Sequence, residues 1–278
     1  MLKNDGKGHI KTIAVASGKG GVGKTNVVIN LAVAASKLGK KVIILDADLG
    51  LSNVDVLLQL APRYNIQHVL SGEKSLAEIM ADGPHGIKVL PASSGVQELT
   101  SLDEFQRLKI MEEFDAYTGD FDLLIIDTAA GISENVAFFC VAAQETVIVT
   151  SPEPTALTDA YALIKVLFTR YQEREFSVMV NSVKSPEEAF EVFKRLMMVT
   201  GKFLNVSLNY LGYIPFDGSI RKAVRAQRPF IDMFPSSDAS RQVNGMAEKI
   251  MESTGKVKGS LQFFLGNMIS GTGPARCK

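Results

Sequence analysis

Short apolar, β-branched runs alternate along this chain with longer segments in which apolar residues recur every three or four positions. The runs Thr12–Ser17, Lys41–Asp46, Ile87–Pro91, Asp122–Asp127, Glu145–Thr150, Phe176–Val183 and Tyr210–Ile214 are apolar on both faces, which predicts buried strands. Val27–Leu38, Glu104–Tyr117, Thr155–Tyr171 and Pro186–Phe203 carry helical periodicity, with Tyr161, Ile164 and Phe168 on one face of the third. Strand, helix and strand in this rhythm need right-handed crossovers, so the expected architecture is α/β: three layers, doubly wound around a mainly parallel sheet. Ser253–Lys258 combines Ser, Thr, Gly and Lys and reads as a linker. The organisation expected is therefore a leader over 1–11, one domain over 12–252 and a tail over 253–278.

The tail has a pattern of its own. At about 100° per residue, Leu261, Phe264, Leu265, Met268 and Ile269 fall within an arc of roughly 140°, which predicts a short amphipathic helix. Lys256, Lys258, Arg276 and Lys278 surround it with no Asp or Glu, so an anionic membrane surface attracts this segment. So short a helix buries little apolar area, and useful affinity needs two copies presented together.

Composition narrows the classes. The 278 residues are 46% hydrophobic and 22% charged, enough to bury a sizeable core. Lys and Arg number 30, as do Asp and Glu, so no whole-molecule field draws the protein onto nucleic acid and any basic surface is local. Met1–Lys11 has no apolar core of a secretory signal, and no run of about 18 apolar residues occurs to span a bilayer. The expected location is cytoplasmic, with peripheral contact at the inner face of the cell membrane. Cys140 and Cys277 offer no paired spacing for a metal, cluster or disulfide framework, and His9, His68 and His85 are scattered.

The sharpest chemistry lies in Gly18-Lys19-Gly20-Gly21-Val22-Gly23-Lys24-Thr25, a G-x-x-x-x-G-K-[ST] loop between the first strand and first helix. Glycines let the backbone curl so that its N–H groups face phosphate oxygens, and the helix N-terminus adds the positive end of its dipole. Gly18 through Thr25, with Asn26 on the first turn, form the expected nucleotide cradle. Lys24 reaches the β and γ phosphates, and Thr25 offers a hydroxyl to Mg²⁺. Lys19 is an extra cation that cannot easily fold back on its own nucleotide. Across a face-to-face dimer it would neutralise transition-state charge on the other subunit's phosphates, as an arginine finger in trans does.

Carboxylates cluster where ligands of open α/β sheets bind. Asp46 and Asp48 end the second strand, Asp46 placed to support the Mg²⁺ hydration shell and Asp48 to align an attacking water. Asp127 ends the very apolar Leu123-Leu124-Ile125-Ile126 as a Walker B acid would, holding a metal-bound water. The following Thr128-Ala129-Ala130-Gly131 is small enough to respond to the γ phosphate. Asn181 closes another apolar strand, and its amide donor and acceptor suit the edge of adenine.

Together, the early-lysine P-loop, Asp46-Ala47-Asp48-Leu49-Gly50-Leu51-Ser52-Asn53-Val54-Asp55 and Asp127-Thr128-Ala129-Ala130-Gly131-Ile132-Ser133 resemble the deviant Walker ATPases of the MinD and ParA class. Within that class the chain is most similar to the flagellar number regulators of the FlhG/FleN branch. The likeness covers roughly residues 10–250, with Leu157–Tyr161 and Ile214–Asp217 included. It implies an ATP-sandwiched homodimer in which Lys19 acts across the interface, Asp48 positions water, Asn181 and the Pro215 loop hold adenine, and Glu153 touches the partner's ribose. It also implies control of flagellar number and placement through a flagellar GTPase, a switch component of the basal body or a flagellar transcriptional activator. Some members carry an N-terminal Asp-Gln-Ala segment that stimulates the GTPase; Met1–Lys11 has none. The rival readings are a division-site ATPase like MinD, in which a basic residue usually stands where Ser52 is, and a DNA-binding partition ATPase, which wants a basic stripe. An iron–sulfur carrier on the same fold would need paired thiolates.

Overall fold

The computed structural model describes residues 10–49, 52–92, 102–117 and 120–253. In chain order the strands are β1 (Lys11–Ser17), β2 (Val42–Ala47), β3 (Ala81–Asp82), β4 (Lys88–Leu90), β5 (Leu123–Ala130), β6 (Glu145–Thr150), β7 (Glu175–Val183) and β8 (Ser207–Pro215). They form one eight-stranded sheet in the order β3-β4-β2-β5-β1-β6-β7-β8. All pairings are parallel except the short β3 against β4. The chain leaves central β1 towards one edge and later returns to fill the other, and such a reversal opens a crevice at the carboxyl ends of the strands.

Both faces of the sheet are covered because alternate residues of the same strand feed separate cores. Ile13 and Val15 of β1 pack with Val27 and Leu31 of the Lys24–Lys37 helix and with Val243 of the Asp238–Glu252 helix. Ala14 and Ala16 face Phe139, Leu163 and Phe176 on the opposite side. Twofold alternation with apolar residues at every position is what a doubly covered parallel strand requires.

Two expected strands need correction, and two elements were not expected. Tyr210–Ile214 is not a fully buried strand: β8 begins at Ser207, lies at the sheet edge and alternates exposed with half-buried positions over Ser207–Tyr210. Strand β3 is too short to leave a periodic signal, and β2 is displaced to Val42–Ala47. The Glu134–Ala142 helix has no polar face because both sides are buried, so it shows no amphipathic period. Otherwise the boundaries shift by a few residues, and Pro186–Phe203 matches its expected span. Among the described residues no helix is long and apolar enough to cross a membrane. The tail, with Leu261, Phe264, Leu265, Met268 and Ile269, lies outside the described residues.

Candidate nucleotide site

The P-loop leaves β1 and enters the Lys24–Lys37 helix through Gly23, which sits at φ 89°, a left-handed conformation that glycine adopts without strain. A side chain there would also meet Asn181, whose Nδ2 would lie 2.4 Å from the added Cβ. Gly21, at φ +79°, faces open space, so the cradle is unfilled by protein atoms. Gly18 is constrained differently: a Cβ would fall 2.1 Å from the carbonyl oxygen of Asp159. The Pro154–Tyr171 helix is thus packed directly on the loop, which gives the Leu157–Tyr161 segment a positional reason that spacing alone did not disclose.

Beneath the loop, strand register does the assembling. Asp46 of β2 and Asp127 of β5 are directly paired neighbours, so their carboxylates emerge side by side near the strand ends. Lys24 Nζ lies 2.6 Å from Asp127 Oδ1, with the two side chains only 8% and 1% exposed. Asp46 is fully buried, and its pKa is raised to about 7 by loss of water and then by the adjacent Asp127 charge. Its Oδ2 accepts from Ser52 Oγ at 2.8 Å, Asn53 N at 3.1 Å and Val54 N at 3.2 Å, while Oδ1 accepts from Asp48 N at 3.1 Å. Asp46 therefore ties half-buried Asp48 as well as Ser52, Asn53 and Val54 to the end of β2, a structural task the sequence did not reveal. Ser52, which also reaches Asp55 at 3.1 Å, is the partner that sequence reasoning missed.

β5 runs on to Ala130, so Asp127 lies inside the strand rather than closing it as expected; Thr128 Oγ1 donates to Val15 O at 3.1 Å and Gly131 N to Ser17 O at 2.9 Å, tying the end of β5 to the root of the P-loop. On the other flank Asn181 Nδ2 donates to Val22 O at 2.7 Å, so this amide supports the cradle and keeps one N–H over for a base. Pro215 ends neighbouring β8, and Phe216 N closes the loop onto Val183 O at 2.7 Å. At the rim, Lys19 Nζ contacts Glu153 Oε2 at 2.5 Å and Thr155 Oγ1 at 2.8 Å of its own chain. Within one chain these two residues, each expected to reach a partner, hold each other. Thr155 is a further residue that spacing did not suggest.

The donor set fits a magnesium nucleotide: an open glycine cradle, a buried lysine, the Thr25 hydroxyl and two adjacent carboxylates of hard oxygen character. Fold and site together define a P-loop nucleotide hydrolase on a doubly wound sheet.

Residues 9–251 match the ParA family, described as NUBPL iron-transfer P-loop NTPase, and the chain belongs to it. It is an ATPase. The chain is 43% identical to the antiactivator FleN of Pseudomonas aeruginosa over 271 residues, covering 96% of this chain and 97% of that protein. It is 35% identical to the flagellum site-determining protein YlxH of Helicobacter pylori, over 87% of this chain and 82% of the relative. Among solved structures, the septum site-determining protein MinD of Pyrococcus horikoshii, complexed with Mg-ADP, superposes with a TM-score of 0.71 at 25% identity, covering 88% and 97% of the two chains. The iron-transfer description finds no paired thiolate in this sequence, and Cys140 is a buried core thiol.

Proposed function

We propose that this chain is an ATP-dependent dimerising switch that controls the number or placement of flagella, hydrolyses ATP slowly to reset itself, and associates with the inner face of the membrane as the ATP dimer. Identity to the antiactivator FleN and to YlxH along nearly the whole chain supports the flagellar assignment, and the name of the first favours a transcriptional activator as effector over a GTPase or a switch protein. The observation that carries the switch is Lys19: a cation at the rim, 35% exposed, held by the exposed Glu153 carboxylate and the Thr155 hydroxyl.

In this reading each side chain has a defined duty. Backbone N–H groups of the loop and Lys24 bind the triphosphate, Lys24 exchanging its Asp127 partner for phosphate oxygens. Thr25 and Asp127, with Asp46 and Asp48 close by, are the residues that would hold Mg²⁺, which would supply neutralisation of phosphate charge. Asp48 orients the attacking water, since the Asp46 hydrogen bonds fix the loop on which it sits. Asn181 and the Pro215 loop contact adenine. Lys19 leaves Glu153 and crosses to the partner subunit's phosphates, and Glu153, released, reaches the partner's ribose. Two tails from one dimer supply the membrane affinity that one lacks.

Sedimentation of the full chain with ATP and with ADP tests the dimer. Dimerisation in ATP that Lys19→Ala abolishes supports it; a wild-type chain that stays at monomer mass with magnesium and a non-hydrolysable ATP analogue defeats it. Flotation on phosphatidylglycerol vesicles tests the tail, and equal flotation with and without ATP removes the nucleotide-dependent membrane step.

A further inference from the structure

Whole-chain neutrality hides one uneven surface. The Gly218–Arg225 helix starts at Asp217, whose Oδ1 accepts from Ser219 N at 2.8 Å, and buries Ala223. Its outer side presents Arg221, Lys222 and Arg225, followed by Arg228, all exposed. No carboxylate occurs between Asp217 and Asp232. Among the described residues none of these four cations forms an ion pair, as is true of other exposed cations such as Arg170, Lys194 and Lys202; what sets the four apart is their crowding on one short segment without an acid. The face is not purely basic. Phe216 is 60% exposed beneath the Arg221 guanidinium, 5.4 Å from its ring centroid, and Arg228 edges a water-sized hollow whose walls include Asn26 and Asn30 as well as Ile29, Leu57 and Val224.

This face is also wired to the site. Gln59 Nε2 donates to Ala226 O at 3.1 Å and Gln227 Nε2 to Val56 O at 2.8 Å, fastening the segment to the short Val54–Leu57 helix. Val54 N in turn donates to Asp46, the carboxylate that holds the Asp48 loop, and Asn26 directly follows Thr25 of the P-loop.

We propose that the face formed by Arg221, Lys222, Arg225 and Arg228 docks an acidic segment of a protein partner that lays an apolar side chain against the exposed Phe216 ring. Charge complementarity selects an anion and orients it. The exposed Phe216 ring then favours a peptide over a duplex, whose phosphate backbone offers nothing to bury there. The chain's own tail cannot serve, because it carries four cations and no acid. Nor can the same face of a second copy, which bears the same sign. The proposal rests on the switch reading only for its dependence on nucleotide.

The test selects random dodecapeptides displayed on phage against the full-length protein with Mg-ATP, then measures a selected peptide by fluorescence anisotropy. Acidic, apolar-bearing sequences should be enriched. Their affinity should fall by about tenfold or more in Arg221→Glu/Arg225→Glu and in Arg228→Glu, and several-fold in the milder Arg221→Gln/Arg225→Gln, with nucleotide binding at wild-type level. No acidic enrichment, or affinities unchanged in all three variants, overturns the proposal. So does a duplex of about 20 base pairs, or a phosphatidylglycerol vesicle, that binds more tightly than any peptide and is lost in the same variants. Peptide selection by a chain that never dimerises in ATP would leave this proposal standing and sink the switch.

Discussion

Two lysines five positions apart in one loop meet two carboxylates at nearly the same distance, and the resemblance ends there. Lys24 and Asp127, 2.6 Å apart, are 8% and 1% exposed at the floor of the cradle; Lys19 and Glu153, 2.5 Å apart, are 35% and 66% exposed at its rim. Removing one member of a buried pair leaves a charge without water or partner, which typically costs about 3–5 kcal/mol. Separating an exposed pair returns both groups to water at a cost of about 0–1 kcal/mol. Burial, not distance, therefore decides which lysine is fixed and which can leave. The floor lysine is suited to wait for phosphate in place, and the rim lysine to change partners.

The largest expected effect comes from breaking the floor. Lys24→Ala should weaken nucleotide binding by more than about 100-fold and destabilise the ligand-free fold by about 3–5 kcal/mol, as Asp127 loses the cation paired with it among the described residues. Urea unfolding showing less than about 0.5 kcal/mol would contradict the contrast drawn above. Lys19→Ala should unfold within about 0.5 kcal/mol of wild type yet lose hydrolysis by roughly 10³ or more, the scale of a finger acting in trans. Steady-state phosphate release and a thermal melt on the same sample separate the two effects. Asp48→Ala should still bind ATP and remain a dimer, with turnover lowered by about 10²–10⁴ because the water loses its orienting acceptor. An Asp48→Ala protein that is monomeric in ATP removes that role.

The smallest expected effect is a pH slope. Asp46 keeps its proton in the fold until about pH 7, because burial and then the Asp127 charge disfavour the carboxylate, whereas its ordinary value is 3.8. Between those values the folded state holds a proton the unfolded state has released, so this group's contribution is full below pH 4 and is lost as pH rises to about 7. Denaturant titrations of the ligand-free protein from pH 4 to 8 should show that decline, and Asp46→Asn should flatten it. An identical slope in the variant would show that other groups set it.

Much of the fold was legible because covered parallel strands and their crossover helices leave the plainest patterns in a sequence. Elements whose surroundings erase the pattern were not: Glu134–Ala142 lacks a polar side and β3 has two residues, while β8 was legible as a strand but not as an edge one, because it mixes edge and core positions. The nucleotide cradle was equally legible, since its glycines and lysine lie within one short segment. Hidden were contacts between segments far apart in the chain: Gly18 against the backbone of Asp159, Asn181 on Val22, and Glu153 with Thr155 on Lys19.

By itself the sequence determined the layered architecture, the phosphate-binding loop and the set of carboxylates available to it. Local spacing suffices when the physics is local, as it is for a backbone curled around a phosphate or a helix dipole aimed at it. Tertiary structure alone decided what those carboxylates are worth. Parallel pairing of β2 with β5 sets Asp46 beside Asp127, burial raises the proton affinity of the first and gives the second to Lys24, and exposure leaves Lys19 weakly held. Charge is written in the chain, but its energy depends on the water and the neighbours that folding removes or supplies.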